Sequence, residues 1–310
     1  MASLTSQGVQ YSNSTVRTSG KWATRAIFGY GYSAGAAQSL TNLVNNTGVV
    51  ATNTAPVGTA RRSLAAAGYG GDKAIFGYGL TNAGTATALS NIVSNLGVVS
   101  ADVTGVGVPR LITAAAGYGG DKAIFGYGFS ETATNISLTN LVSNTGVVGA
   151  SVTGVGTPRR GIAAAGYGGD KAIFGYGFTT INVSISNLVS NAGVVSADVT
   201  GVGTARERPS GAGYGGDKAI FAYGLTSVYT SISNLVSNTG VVSADVTGVG
   251  TTRYSLAAAG YGGDKAIFGY GDASSDTNIT NLVSNTGVVS ADVTGIGTAR
   301  SGLAAASYSS

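Results

Sequence analysis

The 310-residue chain has no cysteine and no histidine. These two absences exclude a thiol nucleophile, a disulfide framework, a Ser-His-Asp triad and the usual zinc ligand sets, so no metal site and no cofactor is expected. Charge is scarce as well. Only 10% of residues are charged, and the 17 basic against 13 acidic side chains leave an excess of four spread along the chain. Without a basic run this composition predicts no nucleic-acid partner. No segment approaches the roughly 20 apolar residues of a membrane-spanning helix, so no membrane insertion is expected. The opening MASLTSQGVQYSNSTVR has neither a basic start nor an apolar core, which reads against a secretory signal. Proline (four), tryptophan (one) and methionine (one) are rare, whereas glycine (51) and tyrosine (16) are abundant. Low charge with this many small and aromatic residues argues against a disordered tail.

An internal repeat organises what is present. AIFGYG occurs at Ala26–Gly31, Ala74–Gly79, Ala123–Gly128, Ala172–Gly177 and Ala266–Gly271, with AIFAYG at Ala219–Gly224. The phenylalanines at 28, 76, 125, 174, 221 and 268 are therefore 47 to 49 residues apart. Each unit offers four candidate strands. SLAAAGY is the first and KAIFGYG the second, joined by a turn such as Gly70-Gly71-Asp72, whose glycines accept positive φ. SNIVS is the third and VVSADV the fourth, joined by a turn such as Asn144-Thr145-Gly146. Helical periodicity is missing, so the chain reads as all-β.

Four antiparallel strands every 40 to 50 residues are the signature of a β-propeller, here with six blades over residues 20–310. The alanine- and glycine-rich first strand suits a crowded central axis. Before the first AIF stands KWATR rather than AAAGYGGDK, and the missing strand recurs at the C-terminus as Leu303–Tyr308. The C-terminal strand is thus expected to complete the N-terminal blade and leave no open edge. Residues 1–19 lie outside the repeat and read as an extension or attachment arm. In its order of small-residue strand, glycine turn, aromatic strand, variable loop, two short strands and arginine, the unit resembles the kelch repeat. It departs from that pattern by placing its glycine pair in the first turn and by having no tryptophan in the fourth strand. The wording GYGGDKAIFGYG…TNLVSNTGVVSADVTGVGTAR is similar to glycine-rich tandem repeats of bacteriophage tail and other virion proteins. That resemblance implies a virion location, with cytoplasm as the alternative, and a structural or host-contacting role.

Differences between units point to one face. From the third-strand Asn (42, 91, 140, 187, 234) to the next Phe the distance is always 34 residues, whereas from Phe to that Asn it is 13 to 15. Length variation therefore falls in the loop between second and third strands. A second divergent position follows the repeated arginine: Arg62, Leu111, Arg160, Glu207, Tyr254 and Ser301. In an antiparallel four-stranded blade both positions project to the same side, and loops on a rigid frame commonly carry binding. The candidate ligand-binding residues are Tyr32, Arg62, Asn82, Leu111, Phe129, Glu131, Arg160, Phe178, Asn182, Glu207, Arg208, Tyr229, Tyr254, Asp272 and Asp276. The expected partner is a host-surface glycan or protein, other virion proteins, or, for a kelch-type intracellular scaffold, a peptide. A symmetric oligomer within a virion is also compatible with the pattern.

Three regular features carry two readings each. The Asp-Lys pairs from Asp72-Lys73 to Asp264-Lys265 either form a charged ring or keep turn tips soluble. The arginines at 61, 110, 159, 206, 253 and 300 either bind anions or tie one unit to the next. The repeated tyrosines either form a stacking platform or pack between units. Catalysis is not expected. The only carboxylates outside repeated positions, Glu131, Glu207, Asp272 and Asp276, fall in three units, and a glycosidase needs two of them 5 to 10 Å apart. Asp272 and Asp276 share a loop with Asn278, but their spacing matches no calcium loop.

Overall fold

The computed structural model describes residues 24–309, which form an all-β chain of short antiparallel strands with no helix among the described residues. The expected extension at residues 1–19, together with residues 20–23, lies outside them. Each unit builds a sheet of three or four strands, and two further two-stranded sheets pair Tyr32–Ser33 with Ala36–Ala37 and Arg61–Arg62 with Leu80–Thr81. In the second unit Ala65–Tyr69 pairs with Lys73–Gly77, which pairs with Ser90–Val93, so that Phe76 lies opposite Ala66 on one side and Asn91 on the other. The same register recurs around Phe125, Phe174, Phe221 and Phe268. In the first unit Thr24–Gly29 pairs with Thr41–Val44 and with the C-terminal Ala304–Ser309, Phe28 standing opposite Ala305. Gly70 and Gly71 turn the chain between first and second strands with φ of 64° and 81°, as their lack of a Cβ allows.

The fourth segment departs from expectation. It forms no continuous strand in any unit and meets the third strand only through isolated bridges such as Val93–Val99 and Ser90–Val103. Side chains supplement the few backbone bonds that remain, such as Ser100 N to Ile92 O and Val103 N to Ser90 O (both 2.8 Å). The Asn91 amide donates to Ser100 O (3.1 Å) and to Asp102 Oδ1 (2.9 Å), and Ser100 Oγ accepts from the amide of Ile92 (3.0 Å).

The second strand is the most buried element. Ala74, Ile75 and Phe76 are all fully inaccessible, which explains why the sequence shows a contiguous apolar run and no alternation. Ile75 and Phe76 face opposite sides of their sheet, and each side packs on a neighbouring unit. Six apolar clusters result, each shared by two consecutive units, and the sixth joins Ile267 and Tyr270 of the last unit to Phe28 and Val44 of the first. A Tyr-Phe pair marks every junction, from Tyr30–Phe76 (5.1 Å) to Tyr270–Phe28 (5.1 Å). Such pairs add about 0.5–1.5 kcal/mol beyond the area they bury.

Candidate binding face

The divergent segments are projected by a conformational device that recurs six times. After the second strand the repeated tyrosine (30, 78, 127, 176, 223, 270) adopts a left-handed φ between 60° and 66°. A bulky residue there is costly and needs compensation. In the second unit the Tyr78 amide donates to Leu89 O (2.9 Å), its hydroxyl donates to Val106 O (3.2 Å), and its ring lies under the Arg110 guanidinium at 3.9 Å. Gly79 follows with φ 104°, and a Cβ there would stand 2.8 Å from Arg62 O, so this position requires glycine. The kink interrupts or shifts the register of the ladder and leads the chain into a second hairpin. Sequence variation alone marks this hairpin as a loop, yet in the third unit the flanking strands run on across the kink as Lys122–Ser130 and Asn135–Val142.

The repeated arginines hold these hairpins from beneath. All six are fully buried. Arg206 donates through Nε to Tyr223 O (2.8 Å), through Nη1 to Thr204 O (3.0 Å) and through Nη2 to Asn234 Oδ1 (2.8 Å), while its guanidinium covers the Tyr176 ring at 4.1 Å. It thus ties the tyrosine of one unit to the next unit's kink. Arg159, Arg253 and Arg300 repeat this set, Arg300 reaching Tyr30 and Asn42 of the first unit. These positions do not present an anion site. Two clamps are incomplete: Arg61 keeps Nε and Nη1 without partners, and in the third unit Arg110 Nη2 and Asn140 Oδ1 both lack one, Arg110 Nε donating to Thr113 Oγ1 (3.4 Å).

Directly above, the two divergent positions meet. The residue after each arginine pairs with the first residue of a hairpin: Arg62 with Leu80, Leu111 with Phe129, Arg160 with Phe178, Glu207 with Leu225, Tyr254 with Asp272 and Ser301 with Tyr32. The same end of the molecule therefore carries both. Three aromatic groupings form there. Arg62 lies over Tyr32 at 4.4 Å, Arg160 lies between Phe129 (4.6 Å) and Phe178 (4.9 Å), and Tyr229 stacks on Tyr254 at 5.0 Å with Arg208 nearby at 5.7 Å. These side chains are all partly exposed, as is Leu111.

Other candidates are placed differently. The amides of Asn82 and Asn182 are engaged by neighbouring hairpins: Asn82 brackets the backbone of Ala37 (2.6 and 3.3 Å), and Asn182 donates to Leu225 O (3.1 Å) and Thr226 O (3.4 Å). They staple hairpin to hairpin, and so does Asn135, absent from the sequence-based set, which donates to Phe178 O and Thr179 O. Glu131 is exposed at a hairpin tip, far in sequence from Glu207 and from the Asp272–Asp276 bridge. Burial holds the Asp276 carboxyl above the usual carboxylate range, a hydrogen bond with Ser301 opposes this, and Asp272 adds to it. Asn278 turns away from both, donating to Gly297 O (2.7 Å). Among the described residues no three His, Cys, Asp or Glu side chains group as metal ligands.

Each end of the assembly has a cavity. On the divergent face a shallow one of about 80 Å³ is lined by Leu64, Ile112, Arg208 and Leu256 among others. The larger, about 400 Å³, opens at the opposite end, among the tyrosines from Tyr69 to Tyr308 and the five lysines of the Asp-Lys turns. Around that opening the turns are chained by backbone hydrogen bonds, Gly70 to Asp121 O, Gly119 to Asp170 O, Gly168 to Asp217 O, Gly215 to Asp264 O, Gly262 to Thr24 O and Ser309 to Asp72 O. No protein-family model matches this chain, and no curated protein sequence is significantly similar to it.

Proposed function

We propose that the protein is a six-bladed, kelch-like β-propeller, closed by its C-terminal strand, which serves as a non-catalytic binding unit of a bacteriophage virion. In this reading the divergent face contacts a host-surface glycan or protein. The observation that carries it is the pairing of every divergent residue after an arginine with a divergent hairpin, above a frame that repeats almost without change. The closed ring is supported by the sixth apolar cluster and by the pairing of Thr24–Gly29 with Ala304–Ser309. Partly exposed aromatic side chains beside arginines supply flat apolar area together with hydrogen-bond donors, a combination that suits sugar faces and protein hot spots. The dispersal of Glu131, Glu207 and the Asp272–Asp276 pair over three units supports a role without catalysis.

The test is binding of labelled protein to intact bacterial envelopes, beside a variant whose six hairpin tips are replaced by Gly-Ser. Binding that disappears in the variant supports recognition by this face. Equal binding by both proteins, or none across a broad strain panel, rejects it. A second reading, a structural virion subunit docked through the opposite end, is favoured by one observation: a valine exposed at the same place in every unit.

A further inference from the structure

We infer that two copies of this chain associate face to face through the ends that carry the Asp-Lys turns. This rests on the closed ring of the preceding reading but not on recognition by the divergent face. The turn between third strand and fourth segment lies on that end, because Asn144, Asn238 and Asn285 of this turn donate to Asp121, Asp217 and Asp264. In all six units it presents a valine to solvent: Val49, Val98, Val147, Val194, Val241 and Val288, each 61–66% exposed. None of the six belongs to an apolar cluster of the interior. The same chain supplies its own control. Its opposite face has diverged in length and sequence, whereas these six exposed valines have not. An apolar ring retained at such exposure marks a covered surface.

The occupant is specified by symmetry and charge. Inside the valine ring stand five Asp-Lys pairs at 2.7 to 3.4 Å, all partly exposed, so both signs alternate around the cavity mouth and cancel. A ring with one sign of charge would repel a second copy of itself. This one is self-complementary: a two-fold axis in the plane of the face returns the valine ring onto a valine ring and brings Lys of one copy to Asp of the other. Such an isologous contact is the commonest kind of oligomer interface. Pairing would also join the two 400 Å³ cavities into one enclosed space.

Sedimentation velocity of the full chain at micromolar concentration tests this. The expected species has twice the 30.4 kDa chain mass. The combined variant Val147→Lys, Val194→Lys, Val241→Lys and Val288→Lys should sediment as a monomer with its unfolding transition unchanged. The control Ile181→Lys with Val228→Lys alters equally exposed residues (68% and 66%) on the hairpin face and should remain dimeric. If four lysines disturb folding, the same four positions changed to serine should show the same loss of dimer. A monomeric wild type, or a folded ring variant that stays dimeric, overturns the inference. Mass and envelope binding are read separately, so either reading can fail while the other stands.

Discussion

At the scale of single residues, the energetic centre of each unit is a buried guanidinium. Removing one from water is costly unless its donors are matched, and truncating one partner of such a network leaves the rest uncompensated, at about 3–5 kcal/mol. The six arginines are not equivalent in this respect. Arg206 satisfies all three of its nitrogens, whereas Arg61 leaves Nε and Nη1 unmatched and bonds only Asn91. Arg206→Met should therefore cost at least about 1 kcal/mol more than Arg61→Met, since the first strands Tyr223 O, Thr204 O and Asn234 Oδ1, whereas the second strands Asn91 Oδ1 alone and relieves two unsatisfied donors. Chemical denaturation of the two variants checks this; equal losses would contradict the clamp. The tyrosines beneath the arginines set an alkaline limit. Burial pushes Tyr30, Tyr127, Tyr176 and Tyr223 up to about 12 from an ordinary 10, against the opposing pull of the adjacent arginines. Below pH 10 both folded and unfolded chains keep these protons. Between 10 and 12 the unfolded chain loses them first, so stability should fall as pH rises through that window. An unfolding midpoint flat from pH 10 to 12 would contradict their burial.

At the scale of elements, the fourth segment shows how side chains can stand in for a strand. Asp198 accepts from the amide and hydroxyl of Thr157 (3.1 and 2.6 Å) and from Asn187 (2.9 Å), which latches this outer segment to the connection entering its unit. Desolvation would raise its carboxyl, but the Thr157 and Asn187 hydrogen bonds outweigh that and hold it below the usual 3.8. Its contribution is present above that value and is lost as pH falls below it. Asn53 makes the corresponding latch to Thr298 in the first unit (2.7 Å). Asp198→Ala should speed amide exchange across residues 194–200, and Asp198→Asn should retain most of the protection because Asn53 already works this way. Equal exchange in both variants would show that the latch does not hold the segment.

Much of this was legible in the sequence. The contiguous Ala-Ile-Phe gave the buried second strand, the Gly-Gly-Asp turn gave the first hairpin, and the 13-to-15-residue variation located the divergent segments. The left-handed tyrosine was not legible: GYG continues the strand pattern, and the contacts that compensate that φ, the arginine on its ring and the carbonyls that take its amide and hydroxyl, exist only in three dimensions. The shortened fourth segment was hidden for a related reason, since VVSADV has strand propensity but the Asn91 and Ser100 side chains occupy the positions a ladder would use. Asn82 and Asn182 read as ligand contacts because they sit in variable segments, yet carbonyls of neighbouring hairpins take their amides.

At the scale of the whole molecule, chain ends far apart in sequence share one sheet. Thr24–Gly29 takes Ala304–Ser309 along its full length, and Asn53 and Arg300 add side-chain links between first and last units. Deleting residues 304–310 should expose an edge strand and cost cooperativity, with aggregation following from the open edge. Placing LAAASYGGD instead directly before Arg25, so that the turn matches Gly70-Gly71-Asp72, should restore a single unfolding transition, because the first sheet needs the paired strand and not its covalent position. A permutant that unfolds no more cooperatively than the deletion would refute this.

In the proposed function a rigid repeated frame carries recognition on its hairpin face. Hydrogen exchange of the protein with and without polysaccharide extracted from a panel of bacterial envelopes addresses this directly. New protection is expected in the hairpins around residues 82–86, 131–135, 179–182, 226–229 and 272–276, with the turns at the opposite end unchanged. Protection confined to those opposite turns, around Val98, Val147 and Val194, would contradict it.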